Sequence, residues 1–567
     1  MLLIDDTFRF HPMKNNFFKF ISILIVTFII FWLLIPAGLI LLGRKLDVVL
    51  NINFPDIPLL NISAIIILIV GFYICLKSIM LLLVNGEGIP FSLFPPKRLV
   101  RESLYSHSRN PIYVGFILIM ISLGTFFKST ATIILVLPVF TVFLIGYILF
   151  VEEPLSLRYY KKSYEQYKEQ IPFFWSFKKR EPKGPSLFRL FFHIIVNILS
   201  KLFFSSEVEG KENIPESGPA LFISNHTCYL DPFFLASHSF RNIYFLTTAE
   251  VFRKVLPRLF FNLMGSFPLK RFMKNPIGIR RLFKLLDSGY AIGYFPEGER
   301  TWTGHPLPFP QGAAKLLARI KATIIPVSIC GAYAVMPRWT NKFRRAKIKI
   351  VFHHPFKIEK SWNEDEIETK LSEIIHTSNM TFDNHIYSKT EINEGIHRLF
   401  WRCPVCGDFY SLQSIDDDNL LCIKCKTKWR FTQDNELEVI EPKNFLDPKR
   451  KFWEWYQLIM NFKFPEFNNK ENSDLLSHKS LPCILSIGNY PKFKPIDRGC
   501  LTLHKKGIYF IGAIKDMAWD FEDLDFISTE GNDKLQIIRG NTQVQFLFQE
   551  ESNLKWETFI NHMRNPG

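Results

Sequence analysis

Long apolar runs dominate the first 151 residues of this chain and restrict its fold more than any other feature. They cover residues 20–43, 57–84, 112–127 and 130–151, and only Lys77 interrupts them with a charge. A helix that crosses a bilayer needs about 20 mostly apolar residues. We therefore predict four membrane-spanning helices, the last two forming a hairpin around Lys128. Four buried helices of a soluble fold are the alternative, but they would be costly. A cleaved signal peptide fits poorly because its apolar region is shorter.

Basic residues in the short loops predict the orientation, because Lys and Arg near membrane spans stay on the cytoplasmic side. They occur in the loop 86–111 and after the fourth span, at Lys97, Arg98, Arg101, Arg109, Arg158, Lys161, Lys162, Lys168, Lys178, Lys179 and Arg180. We therefore expect both ends and all C-terminal domains to be cytoplasmic. The net charge of +16 indicates attraction to anionic lipids. No nucleic-acid-binding motif accompanies it, so we expect no nucleic acid partner.

Beyond the apolar runs, short strand-like stretches alternate with helical patterns. The strand-like stretches are 219–225, 242–248, 291–298, 323–329 and 348–354, and residues 277–289 have the period of an amphipathic helix. This alternation predicts an α/β domain over residues 186–397, after a charged linker at 178–186. The apolar stretch 187–204 has basic flanks and is predicted either to lie in the membrane interface or to be a core helix.

The segment FISNHTCYLDPFF holds the first candidate catalytic pair, His226 and Asp231. Five residues along a straight helix turn two side chains about 140° apart, so both cannot share one helical face. Pro232 favours a helix that starts at Asp231, which places His226 on the preceding turn, within reach of the carboxylate. A carboxylate-held imidazole is a suitable general base for an alcohol. A plain helix cap is the alternative, since a chain with 14 histidines contains this spacing about once by chance.

Two further segments add candidate binding groups. YFPEGERT places Glu297, Gly298 and Arg300 after an apolar strand, at the sheet edge where α/β proteins bind ligands. GSFPLKR contributes Lys270 and Arg271, either of which can hold a phosphate.

These segments, in this order, resemble the motifs of the glycerolipid (1-acylglycerol-3-phosphate) acyltransferase family over roughly residues 200–340. NHTCYLD is similar to its NHxxxxD block, GSFPLKR to its arginine block, FPEGERT to its FPEGTRS block and IIPVSI to its proline block. The resemblance implies His226 as catalytic base and Asp231 as its orienting partner. It also implies acceptor binding by Arg271, Glu297 and Gly298, and acyl-CoA or acyl carrier protein as donor.

The chain departs from that family at two places. Glu299 stands where the family usually has threonine, and Pro310-Gln311 stands where many members have two lysines before the glycine matched by Gly312. An added carboxylate and two missing cations argue against a dianionic acceptor. A lysophospholipid or another alcohol is the alternative to a glycerol-phosphate acceptor.

The loop 86–115 and the segment 151–172 carry ionisable residues at the border of the apolar runs, where such residues indicate function. They resemble the isoprenylcysteine carboxyl methyltransferase and phospholipid methyltransferase superfamily. The matching residues are Arg109, Pro111, Tyr113, Gly115, Glu152, Glu153, Tyr164, Tyr167 and Pro172. The resemblance implies S-adenosylmethionine as a cofactor, with Arg109, Asn110, Tyr113, Glu152, Glu153 and Tyr164 as candidate binding residues. Asn110 replaces the family's histidine and Tyr160-Lys161 its phenylalanine-glycine; plain interfacial anchoring is the alternative.

Four cysteines form a separate module over residues 398–442. The segments CPVCG and CIKC, in which 15 residues separate Cys406 from Cys422, place Cys403, Cys406, Cys422 and Cys425 at zinc-ribbon spacing. Four thiolates close the coordination shell, so we predict a structural zinc, with a redox dithiol pair as the alternative.

The C-terminal segment 481–565 shows short strands and a final amphipathic helix, which predicts a small β-rich module. Its pattern faintly resembles pleckstrin-homology or GRAM-like lipid-binding modules, and a plain interaction domain is equally compatible. The complete prediction is a transmembrane methyltransferase-like domain (1–177), an α/β acyltransferase-like domain (186–397), a zinc ribbon (398–442) and this module.

We expect a membrane-bound acyltransferase of phospholipid metabolism, with an appended methyltransferase-like domain as the candidate for a second activity. One alternative makes the methyltransferase the main activity and the acyltransferase-like domain an accessory. The other is a non-catalytic lipid-binding scaffold, against which His226, Asp231 and Glu297 argue.

Overall fold

The computed structural model describes residues 26, 29–55, 57–89, 95–178, 184–269, 276–310, 312–359, 361–387, 393–462, 475–489, 492–540 and 542–564. The chain divides into two compact units, Met1–Leu187 and Phe188–Gly567.

Helices form the described part of the first unit. Their bounds are Ile35–Val49, which follows a π-helical turn at Ile30–Leu34, then Pro58–Val84, Pro111–Phe126, the continuous helix Thr132–Tyr160, and Lys162–Gln170.

The helices Pro58–Val84 and Pro111–Phe126 pack closely because small residues face each other. A Cβ atom at Gly115 would lie 2.5 Å from the Cys75 sulfur and 2.8 Å from the Gly71 carbonyl oxygen. Ser122 Oγ also donates to the Ala64 carbonyl oxygen at 2.6 Å across this contact. Small residues and hydroxyl groups commonly mediate helix packing within membranes.

Among the described residues, three helices are long and apolar enough to cross a membrane: Pro58–Val84, Thr132–Tyr160 and Leu187–Phe204. The first two coincide in length and composition with the second and fourth predicted spans, whereas the third predicted span is the shorter helix Pro111–Phe126. The first predicted span begins outside the described residues. In Leu187–Phe204 only Leu190 and Ser200 are buried, which favours the predicted interface helix over the predicted core helix. Together these helices indicate a membrane protein.

A seven-stranded sheet forms the α/β part of the second unit, as predicted. Its order is β1-β7-β6-β2-β5-β3-β4, and every pair is parallel except β6 with β7. The strands are β1 Glu207–Glu209, β2 Ala220–Ser224, β3 Ile243–Thr248, β4 Phe267–Leu269, β5 Ala291–Tyr294, β6 Thr323–Cys330 and β7 Lys349–Phe352. The helices are Leu187–Phe204, Asp231–His238, Val255–Leu263, Pro276–Asp287, Ala313–Leu317, Ala332–Val335 and Glu364–Met380. Every residue of the central strand β2 is buried, as expected when both faces of a sheet are covered.

The cysteine-containing segment forms an antiparallel sheet of five strands. These are β8 Leu412–Ser414, β9 Asn419–Cys422, β10 Lys428–Phe431, β11 Leu437–Glu441 and β12 Lys449–Arg450, followed by the helix Phe452–Asn461.

The C-terminal module, which we define as residues 475–564, is a β-rich region closed by a helix, as predicted. Its strands are β13 Leu475–Lys479, β14 Cys483–Asn489, β15 Lys492–His504, β16 Gly507–Gly512, β17 Met517–Asp520, β18 Phe526–Glu530, β19 Lys534–Arg539 and β20 Thr542–Phe548, and its helix is Asn553–Arg564. One hydrophobic core joins it to the rest of the unit, because Trp339, Trp429 and Trp556 belong to the same buried cluster.

Candidate active site

The pair His226 and Asp231 lies at the carboxyl end of β2, where the chain turns into the next helix. This helix begins at Asp231 with Pro232 in its first turn, as predicted. The Nδ1 atom of His226 lies 2.9 Å from Oδ2 of Asp231. The sequence-predicted pairing therefore has hydrogen-bonding geometry.

Asp231 is fully buried, and its carboxylate also holds the turn. Its Oδ2 atom accepts hydrogen bonds from the backbone N–H groups of Thr227 at 2.7 Å and Cys228 at 2.8 Å. A carboxylate in this environment acts as a hydrogen-bond acceptor, so the His226 proton is expected on Nδ1 and the lone pair on Nε2. The alternative of a plain helix cap was wrong, because the N-cap residue is Leu230 and the Asp231 carboxylate binds N–H groups of the turn that precedes the helix.

The segment after β5 packs against this turn. Glu297 Oε1 accepts a hydrogen bond from the backbone N–H of His226 at 3.0 Å, and Thr301 N–H donates to the His226 carbonyl oxygen at 3.2 Å. Phe295 stacks on the His226 ring at a centroid distance of 4.5 Å. Gly298 has a φ of +75°, a conformation that glycine adopts at little cost. Both sequence motifs therefore form one site.

Glu297 is buried beside His376, a residue that the sequence analysis did not single out. Burial raises the pKa of Glu297 to about 8, and burial lowers the pKa of His376 to about 4. The two groups lie 3.8 Å apart and are both uncharged near neutral pH. The sequence could have indicated that His376 is buried, since it directly follows Ile375 on a helix whose buried face is Ile367, Leu371 and Ile375. This pattern does not indicate a carboxyl partner.

The side chains of Arg300 and Glu299 contact different partners. The Arg300 guanidinium lies over the ring of Tyr229, 3.2 Å from its centroid, and Tyr229 belongs to the same turn as His226. Glu299, the residue in place of the family's threonine, accepts a hydrogen bond from Arg338 Nη1 at 2.9 Å. The carboxylate that this chain adds is therefore neutralised by an arginine that no sequence motif contains.

Lys270 and Arg271, the predicted phosphate-binding residues, lie outside the described residues, as does Gln311. The strand β4, which leads into them, pairs with β3 in parallel. Gly312 has a φ of +91° directly before the helix Ala313–Leu317.

The residues predicted to bind S-adenosylmethionine form a second cluster, in the first unit. Glu153 is buried and accepts from Arg109 Nη1 and Lys168 Nζ, both at 2.6 Å, while Glu152 accepts from the Tyr113 hydroxyl at 2.6 Å. Within the described part of the chain, the buried Nε of Arg109 makes no hydrogen bond.

The remaining residues of this second cluster contact neighbouring segments of the first unit. Asn110 Nδ2 donates to the Phe173 carbonyl oxygen at 3.1 Å, and Tyr164 is buried with Tyr167 and Ile171 in a small apolar cluster. Lys161, where the family has glycine, has a φ of +51° and a ψ of −133°. The backbone at this position therefore has a conformation that favours glycine, although the residue is lysine.

The four clustered cysteines bring their sulfur atoms together. All four lie within 4.8 Å of one another, and the pairs Cys403–Cys425 and Cys406–Cys422 are each 3.7 Å apart. Zinc–sulfur bonds of about 2.3 Å in a tetrahedron place two sulfurs about 3.8 Å apart. Backbone N–H groups also point at two of the sulfurs, such as that of Cys425 at the Cys422 sulfur. Distances and donor chemistry therefore fit a tetrahedral metal ion.

Comparisons with known proteins find a family match in each of the two regions that contain the candidate sites. Residues 205–330 match the Acyltransferase family model, and residues 60–163 match the Phospholipid methyltransferase model. The chain contains an acyltransferase domain and a phospholipid methyltransferase domain. The first family match contains His226, Asp231 and the Glu297–Arg300 segment.

Relatives of the acyltransferase domain are 1-acyl-sn-glycerol-3-phosphate acyltransferases. A chloroplast enzyme of Arabidopsis thaliana is 27% identical over 175 residues, which cover 30% of this chain and 49% of the relative. One of Bacillus subtilis is 26% identical over 150 residues, covering 26% and 72% respectively. The chain thus spans about half the length of the Arabidopsis relative. The crystal structure of the Thermotoga maritima 1-acyl-sn-glycerophosphate acyltransferase is similar at 21% identity and a TM-score of 0.30, covering 34% of this chain and 80% of that one.

Proposed function

We propose that this protein transfers a fatty acyl group from acyl-CoA or acyl carrier protein to a lipid hydroxyl at a membrane surface. The observation that carries the proposal is the His226–Asp231 pair, joined to the Glu297 segment at the carboxyl edge of β2 within the acyltransferase domain.

The reaction needs one proton acceptor and two bond changes. Asp231 holds Nδ1 of His226, so Nε2 takes the proton of the acceptor hydroxyl as its oxygen attacks the thioester carbonyl. The tetrahedral intermediate then expels the thiolate as the carbon–sulfur bond breaks. The proton on Nε2 passes to the sulfur, which leaves an oxygen ester and a free thiol.

The acceptor is proposed to be a lysophospholipid or a glycerol phosphate, with lysophosphatidate first because the printed names of the relatives specify 1-acyl-sn-glycerol-3-phosphate. The extra carboxylate of Glu299 argued against a dianionic acceptor, but Arg338 compensates its charge. Arg300, Lys270 and Arg271 are the proposed cations for the acceptor phosphate. Glu297 is buried, so we assign it an indirect role: it fixes the backbone that carries His226.

A second candidate activity is methyl transfer by the first unit, favoured by the unsatisfied Nε of Arg109, whose Nη1 binds the Glu153 carboxylate. S-adenosylmethionine would supply the methyl group. Arg109 fits its carboxylate, while Glu152 and Glu153 suit its cationic groups. Asn110, Tyr113 and Tyr164 would border the cofactor.

We propose a structural zinc held by Cys403, Cys406, Cys422 and Cys425, supported by the 3.7 Å sulfur separations. It would stabilise the five-stranded sheet and would have no open position for chemistry. We also propose that the C-terminal module has a pleckstrin-homology or GRAM-like fold. Its eight described strands and closing helix support this proposal.

We further propose a multi-pass membrane protein whose C-terminal domains face the cytoplasm. The basic residues after the helix Thr132–Tyr160 support this orientation. Lys128→Cys should then react with an impermeant maleimide from the outside, whereas Lys505→Cys, at an exposed position, should react only after permeabilisation. The opposite labelling pattern would overturn the orientation.

The deciding experiment measures thiol release and labelled lipid product in purified protein. Acyl-CoA and acyl carrier protein are tested as donors with a panel of lysolipids and glycerol 3-phosphate. Wild type should form product with at least one acceptor, His226→Ala should not, and the exposed-residue control His354→Ala should match wild type. Retained product formation in His226→Ala would overturn the assignment. Inactivity of the wild type would favour the methyltransferase or scaffold alternatives, which binding of labelled S-adenosylmethionine would separate.

A further inference from the structure

Arg338 connects the acyltransferase site to the C-terminal module. It is 3% exposed and uses all five N–H donors of its guanidinium. Nη1 donates to the Glu299 carboxylate at 2.9 Å and to the Arg300 carbonyl oxygen at 2.8 Å. These two bonds hold the segment that follows Glu297 and Gly298.

The other three donors of Arg338 reach the C-terminal module. Nη2 donates to the Thr529 carbonyl oxygen at 3.1 Å and to its hydroxyl at 2.7 Å, and Nε donates to the Gly531 carbonyl oxygen at 3.2 Å. The Thr529 hydroxyl in turn donates to Glu557 on the closing helix at 3.1 Å. The guanidinium is therefore a planar bridge whose two sides bind parts of the chain about 230 residues apart.

Further contacts place the turn between β18 and β19 beside the same site. Glu530 lies 3.4 Å from Arg253, and Asn532 Nδ2 donates to Asn341 Oδ1 at 3.1 Å. A Cβ atom at Gly531 would lie 3.8 Å from the hydroxyl of Tyr229, the ring that Arg300 covers. Both active-site segments thus border this turn.

We propose that the C-terminal module contributes to acceptor binding by the acyltransferase site. Its β18–β19 turn binds Arg338, and Arg338 in turn positions the Glu299–Arg300 segment for the acyl acceptor. This inference rests on the proposed acyl transfer. It also explains Glu299, because the threonine of the family would offer Arg338 no charge. Arg338 and Thr529 are positioning residues; neither is assigned a contact with the acceptor.

Full-length Thr529→Val tests the proposal, because it removes the hydroxyl from the module side of the bridge and leaves the acyltransferase domain unchanged. Losing a hydrogen bond to a charged group should raise the acceptor KM about tenfold, with the donor KM unchanged. Thr529→Ser, which keeps the hydroxyl, should restore the wild-type acceptor KM. Thr502→Val is the matched control, since the described partners of this buried hydroxyl, the Tyr509 carbonyl oxygen and His504, both lie within the module.

Hydrogen–deuterium exchange gives a second readout that does not need activity. The amides of residues 297–303 should exchange faster in Thr529→Val and in Arg338→Met than in Thr502→Val. Equal exchange and equal acceptor KM in Thr529→Val and Thr502→Val would overturn the inference while leaving the acyltransferase standing. If the wild type transfers no acyl group, the proposed function fails, and the exchange comparison still decides whether the turn holds the segment.

Discussion

The imidazole of His376 lies 3.8 Å from the carboxyl of Glu297, and both side chains are buried behind His226. Burial raises the pKa of Glu297 to about 8 and lowers that of His376 to about 4, so at neutral pH the pair holds its proton on the carboxyl. A neutral Glu297 still accepts the hydrogen bond of the His226 backbone N–H through Oε1. The contact between Glu297 and the catalytic turn therefore requires no charge on Glu297.

Glu297→Gln should change how stability depends on pH. Between pH 4.5 and about 8, folded Glu297 keeps a proton that the unfolded chain has released. The free energy of unfolding of the wild type therefore falls as pH rises, with a contribution from this group of up to about 1.4 kcal/mol per pH unit. The variant lacks this contribution, so its stability relative to wild type should increase from pH 5 to 8 in chemical unfolding of the purified protein.

A suitable control is Leu317→Val, which shortens a fully buried side chain that does not titrate. Its stability difference from wild type should be the same at every pH. His376 is present in all three proteins, so its opposite contribution, lost as pH falls from 6.5 towards 4, cancels in the comparison. A constant difference between Glu297→Gln and wild type would contradict a protonated Glu297.

Asp231→Asn should abolish most acyl transfer without unfolding the protein. The amide oxygen can take the place of Oδ2 and still accept from the N–H groups of Thr227 and Cys228 and from His226 Nδ1. It carries no charge, so it stabilises the imidazolium that forms on proton uptake at Nε2 much less than the carboxylate does. In a serine protease triad such a change lowers kcat by about 10⁴-fold, and we expect a loss of about 10³-fold or more. Steady-state kinetics checks this, with the exposed Asp287→Asn as control. Wild-type kcat in Asp231→Asn would remove Asp231 from the mechanism.

The sheet and the catalytic pair could be predicted because their signals are local. The strands around β2 are short apolar runs, and Pro232 fixes where the next helix begins, which brings Asp231 to His226. Arg338 and His376 could not be predicted in the same way. Their partners lie 39 and 79 residues away, and only the packing of the whole unit brings these groups together.

The predicted domain boundaries also missed contacts between residues that are distant in the sequence. The cysteine spacing predicted a compact cluster because a zinc knuckle is a local structure. The sequence offered no sign that Trp339, Trp429 and Trp556, from three predicted domains, would share one core. Hydrophobic patterns identify which residues are buried, but they do not identify the partners against which those residues pack.

Cys403→Ser should remove the proposed zinc from the purified protein. The remaining thiolates cannot complete a tetrahedral site, so metal analysis should fall from one zinc per chain to well below one. Stability of the second unit should fall by several kcal/mol, because metal binding is coupled to folding. Cys500→Ser, outside the cluster, should keep the full zinc content. Wild-type protein that contains no zinc, and in which the four cysteines of the cluster react as free thiols, would support the redox alternative.

Lys161→Gly should stabilise the first unit. Lys161 lies between the helices Thr132–Tyr160 and Lys162–Gln170 with a φ of +51° and a ψ of −133°, where a side chain is strained and glycine is not. Relief of such strain is worth about 1–3 kcal/mol. Lys162→Gly is the matched control: it removes a neighbouring lysine at the first position of a helix, so it should lower stability by up to about 1 kcal/mol. Thermal unfolding in detergent distinguishes the two, and equal destabilisation by both variants would show that Lys161 is not strained.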